Sequence, residues 1–258
     1  MKSVLGRFLP LRREEVRVLV AGMPKSGTTA IAKLLGEAIA KPVCSDPFFQ
    51  LDQKIGSSYR ETLFKGDVSL SYLWRNHRRV FEGAVVKDPN FPLFLEELIA
   101  LFPEARKVFI VRDPRDNIIS ILNRLKIDGR QEWSEGLEAS LSGAWKLLLT
   151  GRTPTMPGDD HLERMAWRWR RSAEEYLKFK DSVQLIRYED FNKDKQHQIC
   201  ELARACGFLE LSDISSKVDV QFQPKGKKFD DWSEFFGQDN LDRIDAIVSP
   251  LLGDFGYE

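Results

Sequence analysis

One stretch, VLVAGMPKSGTTAIAKLLG from Val18 to Gly36, constrains the fold more than any other. Val16 to Ala21 is an unbroken apolar run rich in valine, the pattern of a parallel strand buried on both faces. From Thr28 to Ile39 the apolar residues Ile31, Leu34, Leu35 and Ala38 recur at helical spacing. A strand that turns through a glycine loop straight into a helix opens an α/β unit, and the N–H groups at that helix start, Gly27 to Thr29, favour negative charge. Gly22 and Gly27 have the spacing of the phosphate loop G-x-x-x-x-G-K-[ST]. Thr28, however, stands where that loop has its lysine, and Lys25 has moved inside the turn. The loop keeps an anion cradle and lacks the usual partner of a γ-phosphate.

The rest of the chain repeats the unit. GAVVKDP, Gly83 to Pro89, reads as a strand ending in Lys87 and Asp88, with a helical stretch at Pro92 to Phe102. KVFIVRDP, Lys107 to Pro114, ends in Arg112 and Asp113 and leads into a helix at Asn117 to Leu125. SVQLIRYEDF, Ser182 to Phe191, is a fourth strand with a charged end, followed by a helix at Lys195 to Cys206. The expected fold is therefore α/β: a central parallel sheet flanked by helices. Open sheets of this kind bind ligands outside the carboxyl ends of their strands, so Lys25, Lys87 and Arg112 are expected in one cleft.

Two segments carry weak patterns. Lys41 to Arg79 is broken by Pro42, Pro47 and Gly56, with GDVSLSYLW (Gly66 to Trp74) readable as a strand end or a short helix. Lys126 to Asp160 reads as a partly mobile insertion. Irregular segments on a rigid scaffold often carry substrate contacts. Beyond them, His161 to Lys180 forms an amphipathic helix with Leu162, Met165, Ala166, Trp169, Ala173 and Leu177 on its apolar stripe, which puts its arginines on a solvated face. A last helix is expected near Leu241 to Leu252.

Composition narrows the function. The 258 residues, 42% hydrophobic, suffice for a single domain spanning 1–258. Lys plus Arg and Asp plus Glu number 39 each, without a run of like charge, so neither nucleic acid nor a membrane surface is an expected partner. No apolar run approaches the roughly 18 residues of a membrane span. MKSVLGRFLPLRREE lacks the layout of a signal peptide, which points to a cytoplasmic protein. The three cysteines show no CxxC spacing, and the three histidines are scattered, so no metal site is expected.

PKSGTT, Pro24 to Thr29, resembles the 5′-phosphosulfate loop of the sulfotransferases, and FIVRDPRDNIISIL, Phe109 to Leu122, resembles their 3′-phosphate segment. RYEDF (Arg187 to Phe191) and KGKK (Lys225 to Lys228) resemble two later family segments, in the family's order. The resemblance implies a P-loop-like three-layer fold and 3′-phosphoadenosine 5′-phosphosulfate (PAPS) as donor, with 3′-phosphoadenosine 5′-phosphate (PAP) as product and no metal. It implies direct in-line transfer to a hydroxyl or amine of a small-molecule or glycan acceptor. Lys25, Ser26, Gly27, Thr28 and Thr29 would hold the 5′ side, with Lys25 on the bridging oxygen. Arg112 and Ser120 would grip the 3′-phosphate, and Tyr188, Lys225 and Gly226 would complete the nucleotide site. Many members that sulfate phenols and steroids carry K-T-H at the end of the strand before the 3′-phosphate segment. This chain keeps Lys87 and has Asp88 and Pro89 instead, so the base falls to Asp88, Asp67 or another carboxylate between Lys41 and Arg79. Two rivals stay open: a P-loop kinase with a displaced lysine, and a non-catalytic binder of the bisphosphonucleotide. The acceptor and the oligomeric state are not written in these patterns.

Overall fold

The computed structural model describes residues 15–55, 59–150, 157–221, 229 and 231–258. In chain order the described elements begin with β1 (Val18–Gly22), α1 (Thr28–Ala38), β2 (Val43–Ser45), α2 (Pro47–Ile55), α3 (Tyr59–Lys65), α4 (Leu70–Asn76) and β3 (Val85–Asp88). They continue with α5 (Leu95–Leu101), β4 (Arg106–Val111), α6 (Pro114–Leu125), α7 (Glu135–Ser140), α8 (Gly143–Thr150), α9 (His161–Lys178) and β5 (Val183–Arg187). The last are α10 (Tyr188–Lys193), α11 (Lys195–Ala205), α12 (Trp232–Phe236) and α13 (Gln238–Leu252), and short 3₁₀ turns lie at Arg78–Phe81, Phe91–Phe94 and Gly253–Phe255.

The five strands form one parallel sheet in the order β2-β3-β1-β4-β5. β1 sits at the centre, and the chain leaves it toward β2 and β3 on one side and β4 and β5 on the other. That is the arrangement that opens a crevice beyond the carboxyl end of the middle strand.

Every residue of β1 is buried, and the period of two along a strand sorts its side chains between two cores. Val18 and Val20 pack with Ile31, Leu34, Leu35, Val108 and Ile199, which places α1 and α11 on one face. Leu19 and Ala21 join Phe109, Leu95, Ile118, Trp169 and Val248, which places α5, α6, α9 and α13 on the other. Three layers result, as expected for a parallel sheet whose strands read as continuous apolar runs.

Three local readings change. Val43–Ser45 forms an edge strand that Pro42 and Pro47 had hidden. The weak segment from 41 to 79 holds three short helices, and GDVSLSYLW supplies α4, capped by Ser69 Oγ accepting from Tyr72 N–H. On α9 the apolar stripe is buried as expected, but Arg168 leaves the solvated face and is 2% exposed. Its guanidinium bonds Asn90 Oδ1 at 2.8 Å and lies 5.6 Å from the Phe64 ring. A polar anchor and an aromatic face offset the burial of this cation.

Candidate functional site

The loop after β1 is shaped by close packing. A Cβ on Gly22 would come within 2.8 Å of Thr28 Cγ2 and 2.9 Å of Ile110 O, so the strand can enter the turn here only as glycine. Lys25 and Gly27 both adopt left-handed backbone, with φ of 69° and 79°. Asn117 of α6, fully buried, donates from Nδ2 to Pro24 O at 2.8 Å and to Ser26 Oγ at 3.0 Å, tying the turn to the next layer. With α1 beginning at Thr28, the first N–H groups of the helix face the mouth of the turn without intrahelical partners. The half-buried Lys25 amine is held below the usual lysine value, by burial first and then by the Arg124 and Arg112 guanidiniums.

β3 pairs with β1 so that Lys87 lies beside Val20 and Asp88 beside Ala21. Successive side chains of a strand point to opposite faces, and Lys87 does not pair with Asp88. Its buried Nζ donates to Thr29 Oγ1 and to Asp46 Oδ1, each at 3.0 Å. Asp46 follows β2 directly in left-handed backbone, φ 55°, and its side chain is 36% exposed. Among the described residues nothing else donates to that carboxylate.

Asp88 is enclosed. Its carboxylate accepts from Phe48 N–H at 3.1 Å, Asn90 N–H at 2.9 Å and Asn90 Nδ2 at 2.8 Å. Burial, with the Asp46 charge second, pushes its pKa up to about 6. Asn90 passes the contact on to Arg168, whose own pKa burial pulls down to about 10.

β4 and β5 end in register, Val111 opposite Arg187, so the next residues, Arg112 and Tyr188, leave the sheet side by side. The Arg112 guanidinium lies 4.7 Å from the Tyr188 ring centroid and donates from Nη1 to Lys25 O at 2.9 Å. Its carbonyl accepts from Trp169 Nε1 at 2.9 Å. On α6, Asn117, Ser120 and Arg124 fall at i, i+3 and i+7 and share the face that Asn117 presses against the loop. Asp116 Oδ1 accepts from Trp232 Nε1 at 3.0 Å, and Arg115 stacks on the Trp232 ring at 3.7 Å, fixing α12 against the start of α6. Lys225 and Gly226 lie outside the described residues.

The structure thus brings Lys25, Ser26, Gly27, Thr28, Thr29, Lys87, Arg112 and Tyr188 to the carboxyl ends of β1, β3, β4 and β5, with Ser120 on the helix beside them. Asp67 stands apart. It is exposed on the turn between α3 and α4, its N–H on Thr62 O, and among the described residues no hydrogen bond or ion pair joins it to the others. Sequence reasoning missed Asp46, Asn117 and Arg124. Asn117 and Arg124 carried a signal, their helical spacing from Ser120. Asp46 carried only the Asp-Pro turn that opens α2.

A parallel sheet with a glycine loop at the helix start and charged residues gathered on adjacent strand ends defines an open α/β protein. The model of the sulfotransferase family matches residues 46–213, and the chain belongs to that family. Its fold is similar to that of a sulfotransferase from Mycobacterium avium, at 15% identity over 95% of this chain and 78% of that one, with a TM-score of 0.57. It is also similar to the sulfotransferase domain from the curacin biosynthetic pathway, at 15% identity, 95% and 99% coverage and a TM-score of 0.51. A mouse sulfotransferase complexed with PAP aligns at 16% identity over 93% and 85% of the two chains, TM-score 0.50. No curated protein matches the sequence. Among the described residues no helix is long and apolar enough to cross a membrane.

Proposed function

We propose that the chain transfers a sulfuryl group from PAPS to a hydroxyl or amine of a small-molecule or glycan acceptor. One observation carries this reading: the glycine loop, with Lys25 inside it, is bonded through Lys25 O to Arg112 on the adjacent strand end. A single nucleotide with anionic groups at both its 5′ and 3′ ends suits that pairing. Gly27 to Thr29 cradle the 5′ side with backbone N–H groups, the Ser26 N–H being held on Met23 O, and Arg112 with Ser120 takes the 3′-phosphate. Arg124, on the same helix face, adds a third cation to a cluster that an anion would relieve.

Transfer proceeds in line, the bond from acceptor oxygen or nitrogen to sulfur forming as the bond from sulfur to the bridging oxygen breaks. Lys25 donates to that bridging oxygen as charge builds on it, the placed-cation form of transition-state stabilisation. Lys87 holds Thr29 and Asp46 in one frame. Asp46 is our choice of base, because it is part-exposed at the strand ends and has acceptor capacity left. Asp88 has its carboxylate committed to three donors inside the protein, and among the described residues no hydrogen bond or ion pair joins Asp67, on its exposed turn, to the site.

Calorimetric titration with PAP, beside ATP with Mg²⁺, tests the donor. PAP binding without metal, weakened in Lys25→Ala and Arg112→Ala, is expected. Binding of ATP with Mg²⁺ alone would replace the reading with a kinase. PAP binding with no sulfated product from PAPS and a broad panel of phenols, alcohols, amines and sugars, followed by mass spectrometry, would favour a non-catalytic binder.

A further inference from the structure

β4 and β5 pair no further than Val111 and Arg187, so the peptide that joins Arg112 to Asp113 lies beyond the ladder. Side chains hold it from both sides instead. Its carbonyl, Arg112 O, accepts from Trp169 Nε1 of α9 at 2.9 Å, and its N–H, on Asp113, donates to Glu189 Oε1 of α10 at 3.0 Å. One short segment backs both jaws of this clamp. The Tyr257 hydroxyl donates to Glu189 Oε2 at 2.7 Å, and the Trp169 ring meets Phe255 edge to face at 5.7 Å. Burial first, and then the Glu189 charge, pushes the Tyr257 pKa up, so its hydroxyl stays a donor. The Asp113 carbonyl accepts from Asn117 N–H and its side chain caps α6, which puts the clamp where strand hands over to helix.

We propose that Glu189 and Trp169 are positioning residues: by holding both polar groups of the Arg112–Asp113 peptide, they fix the backbone from which Arg112 reaches the 3′-phosphate of the nucleotide. This rests on the donor reading above. A peptide unit is planar and rigid, so pinning its C=O and its N–H sets the direction in which the Arg112 side chain departs. Both residues act through Arg112, and neither is required to touch the nucleotide. The clamp also gives Glu189 a role within RYEDF: its carboxylate turns to the neighbouring strand end and supplies the acceptor that a ladder would otherwise provide.

The test compares adenosine 3′,5′-bisphosphate with 5′-AMP, which lacks the group Arg112 would hold, by calorimetry on wild type, Glu189→Gln, Glu189→Met and Trp169→Phe. Glutamine keeps an oxygen for the Asp113 N–H and offers its amide to the Tyr257 oxygen, so it is expected to lose no more than about threefold with either nucleotide. Methionine fills the same space without an acceptor, and phenylalanine keeps a ring without the indole N–H. Each is expected to lose about tenfold in bisphosphate affinity with 5′-AMP nearly unchanged, the scale of one hydrogen bond to a charged group. In an Arg112→Ala background, Glu189→Met should cost no further bisphosphate affinity, because residues acting as one unit are not additive.

A glutamine variant as impaired as methionine would overturn the proposal by showing that the charge of Glu189, and not its hold on the peptide, is what counts. Equal losses for both nucleotides, or additivity with Arg112→Ala, would also overturn it by showing a general structural role. Thermal melting of each variant identifies any that fail to fold; Glu189→Ala then takes the place of methionine, and the comparison with glutamine still decides the outcome. Failure of wild type to prefer the bisphosphate over 5′-AMP would instead remove the donor reading itself.

Discussion

Replacing Asp46 by asparagine isolates proton transfer from everything else Asp46 does. Asparagine can still accept from Lys87 Nζ through its carbonyl oxygen, at the 3.0 Å separation seen for the carboxylate. It is also among the residues that best tolerate the left-handed backbone at φ 55°. The backbone bonds from Asp46 N–H to Lys87 O and from Gln50 N–H to Asp46 O are untouched. The ion pair is lost, but with Asp46 36% exposed its contribution is screened, and a stability change of about 1 kcal/mol or less is expected. The chemistry should suffer far more. Removing a general base costs about 10²- to 10⁴-fold, or about 3–5 kcal/mol of barrier at 1.36 kcal/mol for each tenfold. Single-turnover rates with PAPS and a turned-over acceptor give the comparison. The asparagine variant should be slowed to that extent while binding PAP normally. A loss below tenfold would refute the assignment and return the search to other carboxylates between Lys41 and Arg79.

Two further substitutions test the frame around the site. Gly27→Ala puts a Cβ into left-handed backbone, which costs about 1–2 kcal/mol, and against the Tyr188 ring; a lower melting temperature and PAP affinity reduced by about tenfold or more are expected, and an unchanged melt and titration would show that the ring yields freely. Asp88→Asn concerns pH. The folded-state value of about 6 against the usual 3.8 means that the fold holds the proton more tightly than the unfolded chain. Its contribution to stability is therefore greatest at low pH and declines as pH rises from about 4 through about 6, by up to about 3 kcal/mol. Asparagine introduces a donor where Phe48 N–H and Asn90 also donate, a penalty that does not vary with pH. The difference in unfolding free energy between wild type and variant should thus shift in the variant's favour between pH 4 and pH 7, and a constant difference would contradict the burial argument.

How far the site was legible follows from the range over which each interaction acts. β1, β3, β4 and β5 were readable because strands buried on both faces must be apolar along their length, and their charged ends then stand out as departures. Lys25, Lys87 and Arg112 were legible on that ground. The partners of those cations were not. Lys87 sits next to Asp88 in sequence, yet its ion pair is with Asp46, because adjacent residues of a strand face apart while β2, only three residues long, delivers its following residue to the neighbouring strand end. Three residues between prolines carry no periodicity to detect. Arg168 failed for the opposite reason: the helical stripe was strong, and it assigned every arginine to solvent, whereas one of them reaches a polar group, Asn90, placed by a turn on the far side of the sequence. Tyr188 lay in a recognisable segment, but its contacts with Gly27 and Arg112 come from the register of β4 against β5 and could not be seen before the sheet was assembled. Local pattern therefore finds the charges that an anion site needs, and sheet register decides which carboxylates and rings they meet. If the site works as proposed, the residues that tune it are the ones at these strand-end crossings, and mutational effort is best directed at Asp46 and Glu189 before the more conspicuous histidines and the arginine-rich helix.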